Sequence, residues 1–351
     1  MKRRKIIAIV LVVFAVLLTS FTFYSYQILY AANVLIDQDD RYVYIYPGDT
    51  FKDVQNRLYD EKVVGDLLSF SFIAKLMNYD ELVKPGKYLM RNRMSNLQAI
   101  QLLRAGDQTP VSITFNNIRM IDDLPVVITS NLAIDPNDFK EALEEFIDNN
   151  DQGFNRENII SMFIPNTYEV YWTISGEGLV ERMNEEYQRF WNDNRIAKAK
   201  NIGLKPMEVS ILASIVQAEN SQNDEGQRIA GLYMNRLNQN MRLGADPTVV
   251  FAVGDFTLKR VLNEHLEVDS PYNTYKYGGL PPGPINMPTI RNIDAVLNYE
   301  QHSYLYMCAR EDFSGYHNFA TTYSEHLANA RKYQRQLSIE QRKARQNQQG
   351  S

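Results

Sequence analysis

The hydrophobic pattern of this chain begins with an uninterrupted apolar run close to the N-terminus. Basic residues at 2–5 precede a stretch without charge, 6–36, which opens IIAIVLVVFAVLL. About 20 apolar residues cross a bilayer, and tyrosines such as those that follow this run collect at its interfaces. The pattern predicts a cytoplasmic tail at 1–5, a transmembrane anchor at 6–28 and a linker at 29–40.

The charges on either side of the run orient the anchor. Basic residues lie ahead of it and Asp37, Asp39 and Asp40 follow it, which puts the N-terminus in the cytoplasm and the rest of the chain outside the plasma (inner) membrane. Small residues at Ala31 and Ala32 leave a cleaved signal peptide as the alternative. The length of the run and its aromatic continuation favour an uncleaved anchor.

Short alternating and helical patterns follow in residues 41–115. The segment YVYIYPGDT alternates and then turns, so Asp49 or Thr50 is positioned to cap a helix. Beyond it come a short strand, KYLM, and a helix that Ser95 opens and Gly106 closes. The pattern predicts a small α/β subdomain at 41–115, which is either a spacer that merely folds or a binding module.

The most informative periodicity lies in ILASIVQAEN, residues 211–220. Ile211, Ile215 and Glu219 are spaced i, i+4, i+8, so they lie along one face of a helix. Pro206 is suited to open that helix. A carboxyl group thus occupies a position where the pattern calls for an aliphatic side chain. Burial raises the pKa of a carboxyl group, which turns it into a proton donor at neutral pH.

The segments around this helix complete a larger mixed domain, predicted at 116–335. Asp224 and Gln227 have the spacing of a capping box for the next helix. Residues 244–283 are rich in Gly, Pro, Asn, Tyr and Ser, which is typical of loops that form the walls of a site.

The C-terminal part predicts a strand and a last helix. SYLYMCAR at 303–310 has the pattern of a buried strand, and Thr322 with Glu325 opens a helix that runs into a polar tail at 336–351. The predicted fold class is therefore α+β, with an N-terminal transmembrane helix, a small α/β subdomain and a larger mixed α+β domain.

Composition and charge narrow the classes of function. The formal net charge of −5 does not indicate nucleic acid as a partner, and a basic patch for a polyanion would have to come from the tail. The one cysteine, Cys308, excludes an internal disulfide. The four histidines show no metal-ligand spacing, and no phosphate loop or nucleophile elbow is present. Neither a metal nor a cofactor is expected.

Carboxylate chemistry remains. Outside the membrane, a Glu in a cleft with Tyr, Asn and Ser suits a glycosidic bond, whose leaving oxygen it protonates as an oxocarbenium-like centre develops. If a hydroxyl group of the sugar itself attacks, one Glu serves first as acid and then as base. A hydrolase needs a second carboxylate, for which Asp246, Asp255 and Asp269 are candidates.

Several motifs together resemble a known family. ILASIVQAEN is followed by AGLYMNRL, MRLGADPTVV, SPYNTY and GLPPGPIN, in an order and spacing similar to the MltG (YceG-like) family of endolytic murein transglycosylases. VKPGKYLM with MSNLQAIQLLRAG resembles the LysM-like subdomain of that family. FIPNTYEV stands where the family has an FPDTY-like stretch, and GYHNFATTYSEH resembles its closing segment. The resemblance covers residues 41–335 and includes the anchor before them.

The resemblance implies a mechanism and partners. It puts the catalytic carboxyl on Glu219, in a segment where Gln217 and Ala218 replace the usual Glu-Lys pair, while Met287 and Thr289 stand in a loop that is commonly N-P-G. It implies cleavage of the MurNAc–GlcNAc β-1,4 bond in nascent strands, a 1,6-anhydro-MurNAc end and the termination of strand growth. The implied partners are peptidoglycan strands, the membrane, and glycan polymerases or penicillin-binding proteins.

Substrate contacts are predicted for polar loop residues around Glu219. Asp246 either binds substrate or stabilises a turn ahead of a strand, and the other side chains either line the cleft or bond within their own loop. His317 is interpreted as a structural histidine. The predicted substrate-binding residues are Asp246, Thr248, Ser270, Tyr272, Asn273, Thr274 and Tyr275.

Two alternatives from other classes stay open. One is a membrane-anchored peptidoglycan-binding scaffold in which Glu219 is inert, and the other is a glycan hydrolase with two carboxylates. Anhydro ends after digestion indicate a lyase, reducing ends a hydrolase, and no new ends a binding protein.

Overall fold

The protein has a mixed α+β fold that divides into two compact units. The structure, a computed structural model, describes residues 2–36, 40–222 and 224–349. The first unit takes the chain up to Ile113 together with two short returns, Thr129–Asp135 and Tyr168–Ser175, and the second unit takes the rest. The division after Ile113 lies close to the predicted boundary at 115, whereas the sequence pattern does not predict the two returns.

Helices dominate the described residues, and short strand pairs lie between them. In chain order the elements are α1 (Lys2–Tyr30), β1 (Asp40–Ile45), α2 (Phe51–Asp60), α3 (Leu67–Leu76), β2 (Gly86–Arg91), α4 (Asn96–Ala105), β3 (Val111–Thr114), α5 (Leu124–Thr129), α6 (Pro136–Asn149), β4 (Thr167–Val170), α7 (Gly176–Phe190), α8 (Asp193–Asn201), α9 (Pro206–Glu219), α10 (Gly226–Asn238), α11 (Asp246–Val253), α12 (Asn263–Leu266), α13 (Ile290–Leu297), β5 (Tyr306–Ala309), β6 (His317–Ala320) and α14 (Tyr323–Gln349). The strands pair β1 with β2, β3 with β4 and β5 with β6.

Helix α1 is continuous and has no buried residue, and it is uncharged after the basic residues at 2–5. Its 29 residues extend over about 43 Å at about 1.5 Å per residue, which exceeds the roughly 30 Å of a hydrocarbon core. It is long and apolar enough to cross a membrane. The helix therefore fits a single-pass membrane anchor, and it includes the whole of the predicted span at 6–28.

The segment after α1 packs within the first unit. Val34 and Ile36 are buried, and Val34 forms a β-bridge with Val64. Of the linker predicted at 29–40, the first two residues continue α1, and residues 37–39 lie outside the described residues.

Local sequence signals define the elements of the first unit. Thr50 caps α2 in a capping box, as predicted, and Ser95 does the same for α4. Gly106 ends α4 with a φ of 75°, a left-handed conformation that a glycine adopts without strain. The antiparallel pair of β1 and β2 places Val43 and Tyr88 opposite each other in the core.

Helix α9 is the central element of the second unit. Pro206 stands in its first turn, as predicted, and every residue from Val209 to Val216 is buried. Helices α8, α10, α11 and α13 contact it. Because α9 is enclosed along most of its length, its position and rotation are fixed, and so is the direction in which Glu219 points.

The capping box predicted at Asp224 and Gln227 is wrong. Helix α10 begins two residues after Asp224, and Glu225, at its N-cap position, makes no side-chain cap bond. The two carboxylates bind the β5–β6 hairpin instead: Tyr316 Oη donates to Asp224 at 3.2 Å, and the His317 backbone N–H donates to Glu225 at 3.1 Å.

The segment GADPTVV begins a helix, so the prediction of a loop ahead of a strand is wrong there. Asp246 is the first residue of α11, Pro247 lies in its first turn, and Gly254 ends it with a φ of 78°. Asp-Pro is as typical of a helix start as of a turn.

The C-terminal helix extends through most of the predicted tail. Helix α14 is continuous from Tyr323 to Gln349, so the tail predicted at 336–351 is helical up to that residue, and its last two residues lie outside the described part of the chain. Thr322 caps this helix together with Glu325, as predicted. The predicted strand in SYLYMCAR is present as β5, although it is half-buried.

Candidate active site

Glu219 ends α9 beside a cavity in the second unit. The final residues of the helix are partly exposed, in contrast to the buried turns before them. The cavity has a volume of about 500 Å³. Carboxyl, basic and aromatic side chains meet in its lining: Glu219, Asp246, Arg119, Lys259, Arg260 and Phe256.

The surroundings of Glu219 raise its pKa from the ordinary 4.5 to about 7. Loss of hydration on burial is the largest cause, and the negative charge of Asp246 raises the pKa further. Glu219 as a whole is only half-buried because one side of it opens to the cavity, while protein surrounds the carboxyl group elsewhere. A carboxyl group in this setting exchanges a proton close to neutral pH.

Two side chains of α10 lower the pKa of Glu219 and so oppose this shift. Tyr233 Oη donates a hydrogen bond to Glu219 Oε1 at 3.2 Å, and the positive charge of Arg236 favours the carboxylate. Burial raises the pKa of Tyr233 well above its usual range, so its hydroxyl group remains a donor. Both groups stabilise the ionised form of Glu219, but their effect is smaller than the opposing effect of burial and Asp246, so the pKa remains raised.

Main-chain carbonyl groups hold Arg236 in place. Its Nε donates to the Leu305 oxygen at 2.7 Å, its Nη1 donates to the Leu243 oxygen, and its guanidinium carbon lies 5.5 Å from the centre of the Tyr306 ring. The charge is therefore fixed near Glu219 by the fold and does not depend on an ion pair with it.

Asp246 lines the same cavity from the first turn of α11. Tyr275 Oη donates to Asp246 Oδ1 at 2.6 Å, which orients the carboxylate. The structure thus brings two of the predicted site residues, Glu219 and Asp246, to one cavity, with Tyr275 behind the second.

Three predicted substrate-binding residues lie inside the fold. Thr248, Asn273 and Thr274 are fully or almost fully buried. The hydroxyl oxygens of Thr248 and Thr274 lie 2.8 Å apart, and Asn273 Nδ2 donates to the Leu266 and Val268 carbonyl oxygens, at 2.8 Å each. In this arrangement they hold the 270–275 loop against the start of α11 and do not reach the cavity.

The remaining two predicted residues stabilise the same loop. Ser270 Oγ accepts a hydrogen bond from the Tyr272 backbone N–H at 3.3 Å. The Tyr272 ring packs on Phe251, with ring centres 4.6 Å apart, and its hydroxyl group donates to the Glu157 oxygen at 3.4 Å. Substrate contact stays a prediction for all seven residues: Asp246, Thr248, Ser270, Tyr272, Asn273, Thr274 and Tyr275.

The unusual Gln217 has a positional role. Its amide donates to Asn286 Oδ1 at 3.1 Å and to the Met287 oxygen at 3.2 Å, and it accepts from the Thr289 backbone N–H at 2.7 Å and from Asn292. Gln217 therefore ties the segment that contains Met287 and Thr289 to the helix that carries Glu219, while its neighbour Ala218 is exposed.

The sequence pattern does not predict the basic part of the cavity. Arg119, Lys259 and Arg260 line it, so the expectation that a basic patch would come only from the tail is wrong. Arg119 lies over the Phe256 ring, 4.9 Å from its centre. Among the described residues none of the three forms an ion pair. The adjacent Lys259-Arg260 pair in a loop-rich segment was the available signal.

Other titratable groups are bound elsewhere. His317 Nδ1 lies 2.9 Å from Glu225 Oε2, consistent with a structural histidine. Asp255 accepts a hydrogen bond from Thr257 and Asp269 accepts one from Tyr277, and neither aspartate is among the residues that line the cavity. Over 2–36, 40–222 and 224–349, no group of three His, Cys, Asp or Glu residues is placed to hold a metal ion.

The half-buried Glu219 carboxyl group at a polar cavity of a mixed α+β unit defines a candidate acid–base site. Comparisons with known proteins identify the family. The sequence profile of the YceG-like family matches residues 43–332. The chain belongs to the YceG-like family.

Individual relatives agree with this assignment. A protein named endolytic murein transglycosylase from Streptococcus pneumoniae serotype 2 (strain D39) is 26% identical in an alignment 347 residues long, and the match covers 87% of this chain and 61% of the relative. One of the same name from Bacillus subtilis (strain 168) is 39% identical over 122 residues, 35% of this chain and 33% of the relative. The chain thus spans about three fifths of the length of the pneumococcal protein.

A solved structure is also similar. The crystal structure of a yceG-like protein from Listeria monocytogenes has a TM-score of 0.50 and 26% sequence identity, and the match covers 83% of this chain and 98% of that one.

The raised pKa of Glu219 predicts a pH-dependent cost to stability. Between the ordinary pKa of 4.5 and about 7, the unfolded chain releases this proton while the folded protein keeps it, so the free energy of unfolding falls as pH rises through this window. Glu219→Gln removes that fall. We expect the two proteins to have equal stability near pH 4 and the variant to be more stable by on the order of 2–3 kcal/mol at pH 8.

Denaturant unfolding of the full chain in detergent micelles, followed by tryptophan fluorescence, measures this difference. Glu264→Gln is the matched control, because the Glu264 side chain is 73% exposed and its carboxyl group stays in water in both states. A constant difference between Glu219→Gln and wild type from pH 4 to pH 8 would contradict the burial argument.

Proposed function

We propose that this chain is an endolytic murein transglycosylase that uses Glu219 as its single catalytic acid and base. The observation that carries the proposal is the Glu219 carboxyl group at the cavity, with its pKa raised to about 7. The names of the pneumococcal and Bacillus relatives support the activity and the substrate.

The proposed reaction cleaves the MurNAc–GlcNAc β-1,4 bond in nascent glycan strands. Protonated Glu219 donates its proton to the glycosidic oxygen, the bond from that oxygen to MurNAc C1 breaks, and positive charge develops at C1. The MurNAc C6 hydroxyl oxygen then attacks C1, and its proton passes to the Glu219 carboxylate. No water is consumed, and the new end is 1,6-anhydro-MurNAc, which terminates the strand.

The neighbours of Glu219 suit both steps. Asp246 keeps Glu219 protonated before the reaction, and its own negative charge favours the positive centre that develops at C1. Tyr233 and Arg236 favour the carboxylate that exists after the first proton transfer. One carboxyl group can therefore act as acid and then as base, because neither of its protonation states is strongly disfavoured.

The proposal extends to the membrane and to the first unit. We place the N-terminus in the cytoplasm and the second unit outside the plasma (inner) membrane, supported by the charges around α1. The first unit acts as a LysM-like module that binds peptidoglycan, and glycan polymerases or penicillin-binding proteins are its expected neighbours.

The two alternatives have less support. A binding scaffold gives no reason for a carboxyl group with a raised pKa at a cavity. A two-carboxylate hydrolase would use Asp246, since of the candidate aspartates it is the one in the cavity lining, but the relatives' names describe a transglycosylase.

Glu219→Gln is expected to abolish cleavage and to leave glycan binding intact, because the amide keeps the shape of the acid and has no proton to donate. Cleavage should fall by about 10²–10⁴-fold. Mass spectrometry of muropeptides after digestion of peptidoglycan measures the anhydro ends, and sedimentation with peptidoglycan measures binding. Full activity in Glu219→Gln, with Glu264→Gln as the active control, would refute the assignment.

The pH dependence of the cleavage rate offers a second test, because two substitutions beside Glu219 should shift it in opposite directions. Cleavage requires protonated Glu219, so the rate should fall as pH rises through about 7. Asp246→Asn removes a negative charge and should move this fall to lower pH. Tyr233→Phe removes a hydrogen bond to the carboxylate and should move it to higher pH. Shifts of both variants in the same direction would exclude Glu219 as the titrating group.

The basic side chains of the cavity predict how the substrate binds. Peptidoglycan strands carry carboxylate groups, and Lys259 and Arg260 have no ion pair of their own among the described residues. Lys259→Gln with Arg260→Gln should raise KM about three- to tenfold at low salt and weaken its dependence on ionic strength, with kcat little changed. Arg331→Gln with Lys332→Gln, an adjacent exposed basic pair on α14, is the matched control. An equal effect of the two double variants would contradict the prediction.

A further inference from the structure

Helix α3 presents an apolar face to the outside of the first unit. Leu68, Phe72 and Leu76 are spaced i, i+4, i+8 and are 85%, 60% and 67% exposed. The opposite face of the same helix, with Phe70, Ile73 and Ala74, is buried. Single exposed apolar side chains are common on protein surfaces, but several that lie together along one helix face indicate an interaction surface.

This apolar face lies beside α1. A cavity of about 530 Å³ lies between the two helices, and Phe21, Tyr24 and Ile28 of α1 line it together with Leu68, Phe72 and Leu76 of α3. The apolar surface of α3 is therefore continuous with the surface of the helix that fits a membrane anchor.

A polar contact fixes α3 relative to α1. Asn96 Nδ2 lies 2.9 Å from the Ile28 carbonyl oxygen and 3.0 Å from Ser69 Oγ, so one amide group connects α1 and α3. Asn33 Nδ2 donates to Asn96 Oδ1 at 2.6 Å and holds that amide in place. The side-by-side position of the two helices is thus built into the unit.

The contact with α1 determines the depth of α3. The apolar run begins at Ile6, and about 20 residues cross the hydrocarbon core, so the core ends near Ser25. The residues of α1 that face α3 lie between Phe21 and Leu29. Helix α3 therefore stands at the boundary between hydrocarbon and headgroups.

The charges near this face suit that boundary. Lys75 is exposed and lies within the same stripe as Leu68, Phe72 and Leu76, so its chain can lie along the apolar surface while its ammonium group reaches the phosphate groups. Asp66 caps α3: its carboxylate accepts hydrogen bonds from the backbone N–H groups of Leu68 and Ser69. These bonds keep the carboxylate of Asp66 at the N-terminal end of the helix.

We propose that α3 is an interfacial helix whose Leu68–Phe72–Leu76 face is embedded in the leaflet through which α1 leaves the membrane. The partner is the lipid bilayer, and the surface gives the first unit a second membrane contact, which fixes its tilt on the bilayer. The proposal depends on α1 crossing the membrane and is independent of the proposed catalytic activity.

Site-directed spin labelling of the full chain tests the proposal. In a Cys308→Ser background, a nitroxide on Phe72→Cys is compared with one on Tyr46→Cys, in nanodiscs of phosphatidylethanolamine and phosphatidylglycerol that hold one copy each. The Arg91 end of the β1–β2 pair lies near the exit of α1, because the Arg93 backbone N–H donates to the Val34 oxygen there. Tyr46 is 50% exposed and follows β1 at the opposite end of this pair. The Tyr46 label is therefore the control in water.

We expect relaxation of the label at 72 by oxygen to exceed relaxation by a water-soluble nickel complex, and the reverse for the label at 46. Equal, water-like accessibility of the two labels would overturn the proposal. Dipolar broadening at 72 that appears only when two copies share a nanodisc, with a water-exposed label in single copies, would assign the face to a second copy of the chain and overturn it as well.

Discussion

The partial enclosure of the Glu219 carboxyl group at the end of the buried helix α9 is the constraint on which the proposed chemistry of the second unit depends. Because α9 is buried from Val209 to Val216, the packing fixes where its last turn places Glu219, with one side of the residue open to the cavity. Burial and Asp246 favour its neutral form, and Tyr233 and Arg236 favour its charge. The opposed effects leave the pKa of Glu219 at about 7, where both forms exist near neutrality. A more apolar pocket would raise the pKa of Glu219 so far that the group could not release its proton. A more hydrated pocket would lower the pKa, and the group would then have no proton to donate near neutral pH.

Sequence patterns predicted the parts of the fold that depend on local chemistry. The apolar run of α1, the caps at Thr50 and Ser95 and the proline that opens α9 all act within a few residues, so their signals are readable without the fold. The position of Glu219 at the end of α9 was predictable for the same reason, since helical periodicity puts it on the line of Ile211 and Ile215.

Prediction failed where a distant partner takes a polar group. Asp224 has the spacing of a cap but binds Tyr316 of the β5–β6 hairpin. Thr248 and Thr274 lie in segments with the composition of a sugar-binding loop, and composition does not show that their hydroxyl oxygens lie 2.8 Å apart inside the fold; their contact with substrate stays a prediction. Arg119 and Lys259 are far apart in sequence and meet at the cavity only through tertiary packing. Residue type and spacing alone do not show which groups that are distant in the sequence meet in this way.

The backbone on both sides of Glu219 is restrained, which matters for a group that must transfer a proton twice. Before it, Gln217 bonds four groups of the 286–292 segment. After it, Gln222 donates to the Ser314 oxygen at 2.7 Å, and Glu225 accepts from His317. The helix break that lets Glu219 face the cavity is thus tied to two other segments of the same unit. An acid held in this way needs little reorganisation during the reaction, so its electrostatic surroundings act fully on the transition state. Gln217 makes these bonds without carrying a charge, and Ala218 adds neither a charge nor a side-chain hydrogen bond beside Glu219.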